Sequence, residues 1–138
     1  MLGKEHPNTL TSVSNLAELL RSKGDYEGAE PLLRRILEAR ERVLDKEHPD
    51  TLISVNNLAL LLYSKGEHKG AEALFRRALK GICKISCKIG GTHPYLKTII
   101  NNYAVCLQNM GMNEIQVRQR LESILKPCGF NADDFLAL

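Results

Sequence analysis

Leu10, Val13, Leu16, Ala17 and Leu20 fall at helical spacing, and Leu52, Val55, Leu58, Ala59 and Leu62 repeat that spacing 42 positions later. Polar residues occupy the intervening positions. This predicts two amphipathic helices of the same design, each beginning after a His-Pro pair, His6-Pro7 and His48-Pro49. Proline suits a helix start and disfavours helical geometry in the residue before it. Thr9 and Thr51, or Asn8 and Asp50, are the expected caps. Lys23-Gly24 and Lys65-Gly66 should end the helices, since glycine accepts the left-handed conformation that closes one. Asp25 then caps a second helix from about Tyr26 to Leu44, with Leu32, Leu33, Ile36, Leu37, Val43 and Leu44 as its apolar side. Pro31 should weaken or bend it locally. Glu30 with Arg34, Glu38 with Arg42 and Glu72 with Arg76 stand i,i+4, a solvent-facing pattern.

The repetition extends beyond the apolar positions. Residues 4–45 and 46–87 share 23 identities over 42 positions. A third copy follows with a shift of 45: His93-Pro94, Asn102, Ala104, Leu107 and Gly111 answer to His48-Pro49, Asn57, Ala59, Leu62 and Gly66. The extra residues predict a longer or broken second helix ending at Gly90-Gly91. After Gly111 the pattern turns polar (Gln116, Arg118, Gln119, Arg120, Glu122), while Ile115, Leu121, Ile124 and Leu125 keep one apolar side. That is the expected form of a capping helix at the end of a stack. A fixed period in this range predicts an all-α solenoid of three helix pairs, with repeats at about 4–45, 46–90 and 91–126 and a tail over 127–138. The tail, acidic and apolar by turns, is expected to pack on the last helix; disorder, or docking in its own groove or a neighbour's as a route to self-association, are the alternatives. Leu2 stands where Leu44 closes the first repeat, so residues 1–138 read as one solenoid taken from a longer array, with apolar surface on the first helix available for self-association.

Composition narrows this little. The chain has 138 residues, a formal charge of +3 and few aromatics. That charge does not demand a nucleic-acid partner, and no apolar run is long enough to span a bilayer. Met1-Leu2-Gly3-Lys4 leads straight into the first repeat without a signal peptide pattern. Cys83, Cys87, Cys106 and Cys128 lie mostly in helical patterns and do not recur between copies. They suggest no disulfide framework, and so a reducing, cytoplasmic compartment. Cys106 reads as a small buried hydrophobe.

Candidate chemistry is sparse. His6, His48 and His93 recur at repeat junctions too far apart to share one zinc ion, and Cys83 with Cys87 make an incomplete metal set. No metal or cofactor is expected. Arg76, Arg77, Lys80, Lys84 and Lys88 form a basic stripe that reads as a solvated helix face, without aromatic platforms for bases. No catalytic constellation emerges, so the chain reads as a non-enzyme.

His-Pro-x-Thr-Leu, Asn-Leu-Ala, Lys-Gly-x-Tyr-x-x-Ala-Glu and Arg-Arg-x-Leu, spread over 42 residues, resemble the long tetratricopeptide repeats of kinesin light chains across roughly residues 2–126. The resemblance implies an α-solenoid of three antiparallel helix pairs, stacked into a right-handed superhelix whose first helices line a concave groove that binds protein or peptide segments. It places Asn15, Asn57 and Asn102 towards bound peptide, with Ser14, Asn56 and Asn101 before them. One turn on come Glu18, Leu60 and Val105, then Arg21, Tyr63 and Gln108. The cationic residues that clamp a terminal carboxylate in some chaperone-binding relatives are not evident. The alternative is that the asparagines brace one helix against the next, and the two roles are compatible. Two functions therefore stand: a scaffold reading a short extended peptide, and a structural or oligomerisation module positioning other domains.

Overall fold

A computed structural model of the chain describes Gly3 and residues 6–136. Six helices follow in order: α1 (Pro7–Ser22), α2 (Tyr26–Val43), α3 (Pro49–Ser64), α4 (His68–Ile89), α5 (Leu96–Asn109) and α6 (Glu114–Leu125). Two 3-10 turns, Lys126–Cys128 and Ala132–Asp134, close the described chain. Among the described residues there is no strand. Each helix packs chiefly on its neighbours in sequence, the mark of a solenoid. The expectation about Leu2 lies outside the described residues.

The helix starts differ from expectation in one respect. His6 and His48, not the residues after the proline, are the N-caps: His6 Nδ1 accepts the Asn8 N–H at 3.1 Å, and His48 Nδ1 accepts the Asp50 N–H at 3.0 Å. Proline at the first helical position has no N–H, and it holds the preceding histidine extended (ψ 140° in both). The imidazole thus reaches the next orphan donor, and Thr9, Thr51, Asn8 and Asp50 lie inside the helices. His93 Nδ1 likewise takes the Tyr95 N–H at 3.1 Å.

The helix ends follow expectation. Gly24 and Gly66 take φ of 84° and 86°, as a left-handed terminus requires. Asp25 accepts the Gly28 N–H at 3.0 Å and caps α2. Pro31 does not interrupt α2; it lies exposed near the start of a continuous helix. The longer helix of the second copy is α4, 22 residues without a break, ending at Gly90.

The core centres on α3, α4 and α5, where Leu52, Leu58, Leu61, Phe75, Leu79, Ile82, Ile99, Tyr103 and Leu107 are fully buried. Cys106 is buried among them, its thiol pushed up to about 11 by desolvation. α6 closes the stack with a capping box between Asn113 and Gln116. The tail packs on it: Ala132 is buried, Arg118 meets Asp133 at 3.0 Å, and Phe130 and Phe135 stack edge to face.

Candidate functional site

Between Thr51 and Leu62 every residue of α3 is buried except Ile53, Asn57 and Leu60, which are half-buried. Their spacing of four and three residues puts them on one face, since i,i+3 and i,i+4 positions share a side of a helix. Ser64 continues the line. The equivalent positions on α1 are Thr11, Asn15, Glu18 and Ser22, and on α5 Thr98, Asn102, Val105 and Asn109. All reach solvent at least in part. The three helices thus present one open face with four rows: a hydroxyl or isoleucine, an asparagine, a larger side chain, and a small polar group.

Asn15, Asn57 and Asn102 form the second row. Among the described residues the Asn15 and Asn57 amides make no side-chain hydrogen bond. Asn102 is partly engaged: its Nδ2 donates to Asn56 Oδ1 at 3.4 Å, and Asn56 Nδ2 donates to Tyr95 Oη at 3.4 Å. Asn56 has no exposed surface and is wedged between α3 and α5, where it braces the two. Asn101, its counterpart on α5, is exposed. Val105 is exposed, while Ile53 and Leu60 are half-buried, Leu60 also packing against the core. Glu18 and Arg21 neutralise each other at 2.9 Å. Tyr63 lies beside the stripe, its hydroxyl accepting from Asn109 Nδ2 at 2.7 Å and its ring 5.2 Å from that of His68. Thr11, Ile53, Thr98, Ser22, Ser64 and Asn109 were not singled out from the sequence. The same spacing of four and three that relates Asn57 to Leu60 identifies them.

A second constellation lies behind this face. Glu72 is not a solvent-facing partner of Arg76 but a buried one. Its carboxylate accepts from Arg76 at 2.6 and 2.7 Å, from Tyr103 Oη at 2.9 Å, and from Arg120, and so ties α4 to α5 and α6. Burial pushes Glu72 up, but Arg76 and its other partners outweigh that and hold the carboxyl below its ordinary range. Glu30, the equivalent residue of the first copy, bonds Lys65 at 2.6 Å and Arg34 at 2.9 Å, and Lys65 leads in lowering it. Met110 stands where a third copy of Lys65 would be, so Arg120 supplies the cation from α6 instead.

The basic stripe on α4 is partly neutralised, Arg76 by Glu72 and Arg77 by Glu41 at 3.3 Å. Lys80 and Lys84 line a shallow cleft with Glu47. Each junction histidine is committed to a backbone N–H. Among the described residues no three His, Cys, Asp or Glu side chains converge to hold a metal ion, and no helix is long and apolar enough to cross a membrane.

A family model described as Tetratricopeptide repeat matches residues 8–84, more than half the chain. No match is found among curated proteins. Among solved structures, a Podosopora anserina protein described as a kinesin light chain with nearly identical TPR-like repeats is 25% identical, with a TM-score of 0.71 over 93% of this chain and 57% of that one. A single-substitution variant of the same protein gives 26% identity and a TM-score of 0.66 over 92% and 56%. BtubC (BKLC) from P. vanneervenii is 22% identical, with a TM-score of 0.73 over 93% and 51%, a likeness of fold. The chain spans just over half the length of these structures.

Proposed function

The chain belongs to the tetratricopeptide repeat family, and from that premise we propose that it is a scaffold whose open face across α1, α3 and α5 takes a short extended segment of a partner protein. Repeats of this family generally mediate protein–protein interaction, and the fold is that of a non-catalytic scaffold. The observation that carries the finer reading is the selective exposure along α3. Between Thr51 and Leu62 a helix otherwise buried leaves Ile53, Asn57 and Leu60 accessible, in register with Asn15 and Asn102. An asparagine amide both donates and accepts, so it pairs with an extended peptide backbone of any sequence. Ile53, Leu60 and Val105 would receive aliphatic side chains, worth up to about 1.5–3 kcal/mol for each one fully buried. The only formal charges on the rows, at Glu18 with its partner Arg21, cancel, so an uncharged, apolar-centred segment fits best. Ordering a flexible peptide on so short a face limits affinity to about the micromolar range. Four unpaired cysteines support a reducing, cytoplasmic setting.

The test is a peptide-display selection on the full chain beside Asn57→Ala and Leu60→Asp. Asn102 is left intact because it also supports Asn56. A motif enriched on the parent chain and weakened tenfold or more in both variants supports the scaffold reading; enrichment indifferent to them overturns it. The second reading, a structural or self-associating module, is favoured by Leu16 and Leu19 of α1, which are half exposed where α3 buries Leu58 and Leu61.

A further inference from the structure

Asp50 and Tyr95 occupy the same place in successive repeats. Each is the second residue after a junction histidine, and each donates its backbone N–H to that histidine's Nδ1, at 3.0 and 3.1 Å. Their side chains therefore leave the backbone at equivalent points, yet they do opposite things. Tyr95 is half-buried and packs against the core, and its hydroxyl accepts from Asn56 Nδ2 of α3 at 3.4 Å. Asp50 is exposed, and beside it a cavity of about 150 Å³ opens between α1 and the end of α2. Its walls are mostly apolar: Pro7 and Leu10 on one side, Val43 and Leu44 on the other, completed by Thr11 and Arg40. That is room for one benzene ring. The walls of the two junctions differ accordingly. Val43 is 57% exposed, whereas Ile85, its counterpart on α4, is half-buried against the core.

We propose that this cavity anchors one aromatic side chain, that of a tyrosine, from the extended segment taken by the open face. That a segment arrives at all rests on the scaffold reading; that its anchor is aromatic rests on Tyr95, which fills the equivalent place from within the chain. Thr11 belongs both to the cavity wall and to the first row of the face, so a segment lying on the rows passes the opening. Arg40 stands where the second copy has Ile82, and its guanidinium is held by the Asp50 carbonyl at 3.4 Å and by Ser54 Oγ at 2.6 Å. A fixed guanidinium in the wall favours an aromatic face over an aliphatic side chain. Ser14, the counterpart of Asn56, lies one turn along α1 from Leu10. It is half-buried, and among the described residues its hydroxyl makes no hydrogen bond. The phenol hydroxyl would turn towards it, as that of Tyr95 turns towards Asn56.

The probe is p-cresol, the tyrosine side chain as a free molecule, titrated into the full chain and followed by NMR through the methyl groups of Leu10, Thr11, Val43 and Leu44. Saturable shifts at millimolar affinity are expected in the parent chain and in Asp50→Ala. They should weaken tenfold or more in Asp50→Tyr, where the introduced ring takes the cavity as Tyr95 takes its own, and the unfolding midpoint of that variant should rise by roughly 2–5 °C. In the peptide-display selection an aromatic residue should be enriched at one end of the motif, kept in Asp50→Ala and lost in Asp50→Tyr. Absent shifts, shifts that survive Asp50→Tyr, or changes at Val43 and Leu44 that follow protein concentration alone, as a second copy seated there would give, overturn the anchor. A motif without an aromatic residue overturns it too and leaves the scaffold reading standing. Binding of p-cresol with no enriched motif counts against the scaffold reading and not against the aromatic preference of the cavity.

Discussion

Leu16 and Leu58 occupy the same place in successive repeats, yet Leu16 is 48% exposed and Leu58 1%; Leu19 and Leu61 differ in the same way, 51% against 0%. The polar neighbours divide likewise. Ser12 and Ser54 each donate to the carbonyl four residues back at 3.1 Å, but Ser54 also receives a hydrogen bond from Arg40 of α2 at 2.6 Å. The residues are the same and the helices have the same bounds within the repeat, so the difference lies in what surrounds them. α3 packs against α2, α4 and α5; α1 has α2 as its main neighbour. Burial in a solenoid therefore belongs to the interface between units and not to the unit.

The largest effect expected from this contrast is on stability. Leu58→Ala should cost about 2–5 kcal/mol, the range for truncating a sealed leucine, and Leu16→Ala less than about 1 kcal/mol. Urea unfolding of the two variants measures both, and equal costs would mean that the α1 face is covered in solution.

The two repeated acids sharpen the same contrast. Glu72→Gln should cost about 1–3 kcal/mol, because buried charged hydrogen bonds are lost. Glu30→Gln, nearer the surface, should cost under about 1 kcal/mol. Both carboxyls are held below their ordinary range in the folded chain. Their contribution is therefore present above the ordinary carboxylate range and is lost as pH falls through the folded values. Unfolding midpoints followed from neutral pH towards acid should drop less steeply in Glu72→Gln than in the parent chain, with Glu30→Gln between them.

A smaller effect is expected where the two second helices differ. Ala39 of α2 corresponds to Gly81 of α4. A Cβ at Gly81 would stand 2.5 Å from Leu52 Cδ1. Gly81→Ala should cost about 1–2 kcal/mol through overpacking, even though alanine favours a helix by nearly 1 kcal/mol. Thermal unfolding decides, and a stabilised variant would show that Leu52 can step aside.

The smallest change in stability, within about 0.5 kcal/mol, is expected for Leu19→Ser, which removes exposed apolar surface. If α1 joins copies of the chain, this variant should reduce concentration-dependent association in light scattering. A parent chain that stays monomeric at high concentration removes that reading.

The 42-residue period, the His-Pro starts, the Lys-Gly ends and the spacing of leucines determined six helices in three pairs, because helix geometry and chain reversal depend on neighbours within a few residues. The asparagine row was legible for the same reason: equal register in equal helices puts equal positions on one face. Contact between units was not legible. Leu16 and Leu58 cannot be told apart by their local pattern, nor can Glu30 and Glu72, although one acid meets Lys65 and the other is enclosed by Tyr103 and Arg120. Asn56 became a brace because Asn102 and Tyr95 come to lie against it, 46 and 39 residues away. Such meetings are decided by the stacking of whole helices, and burial and pairing free energies depend on the surface that arrives from elsewhere in the chain.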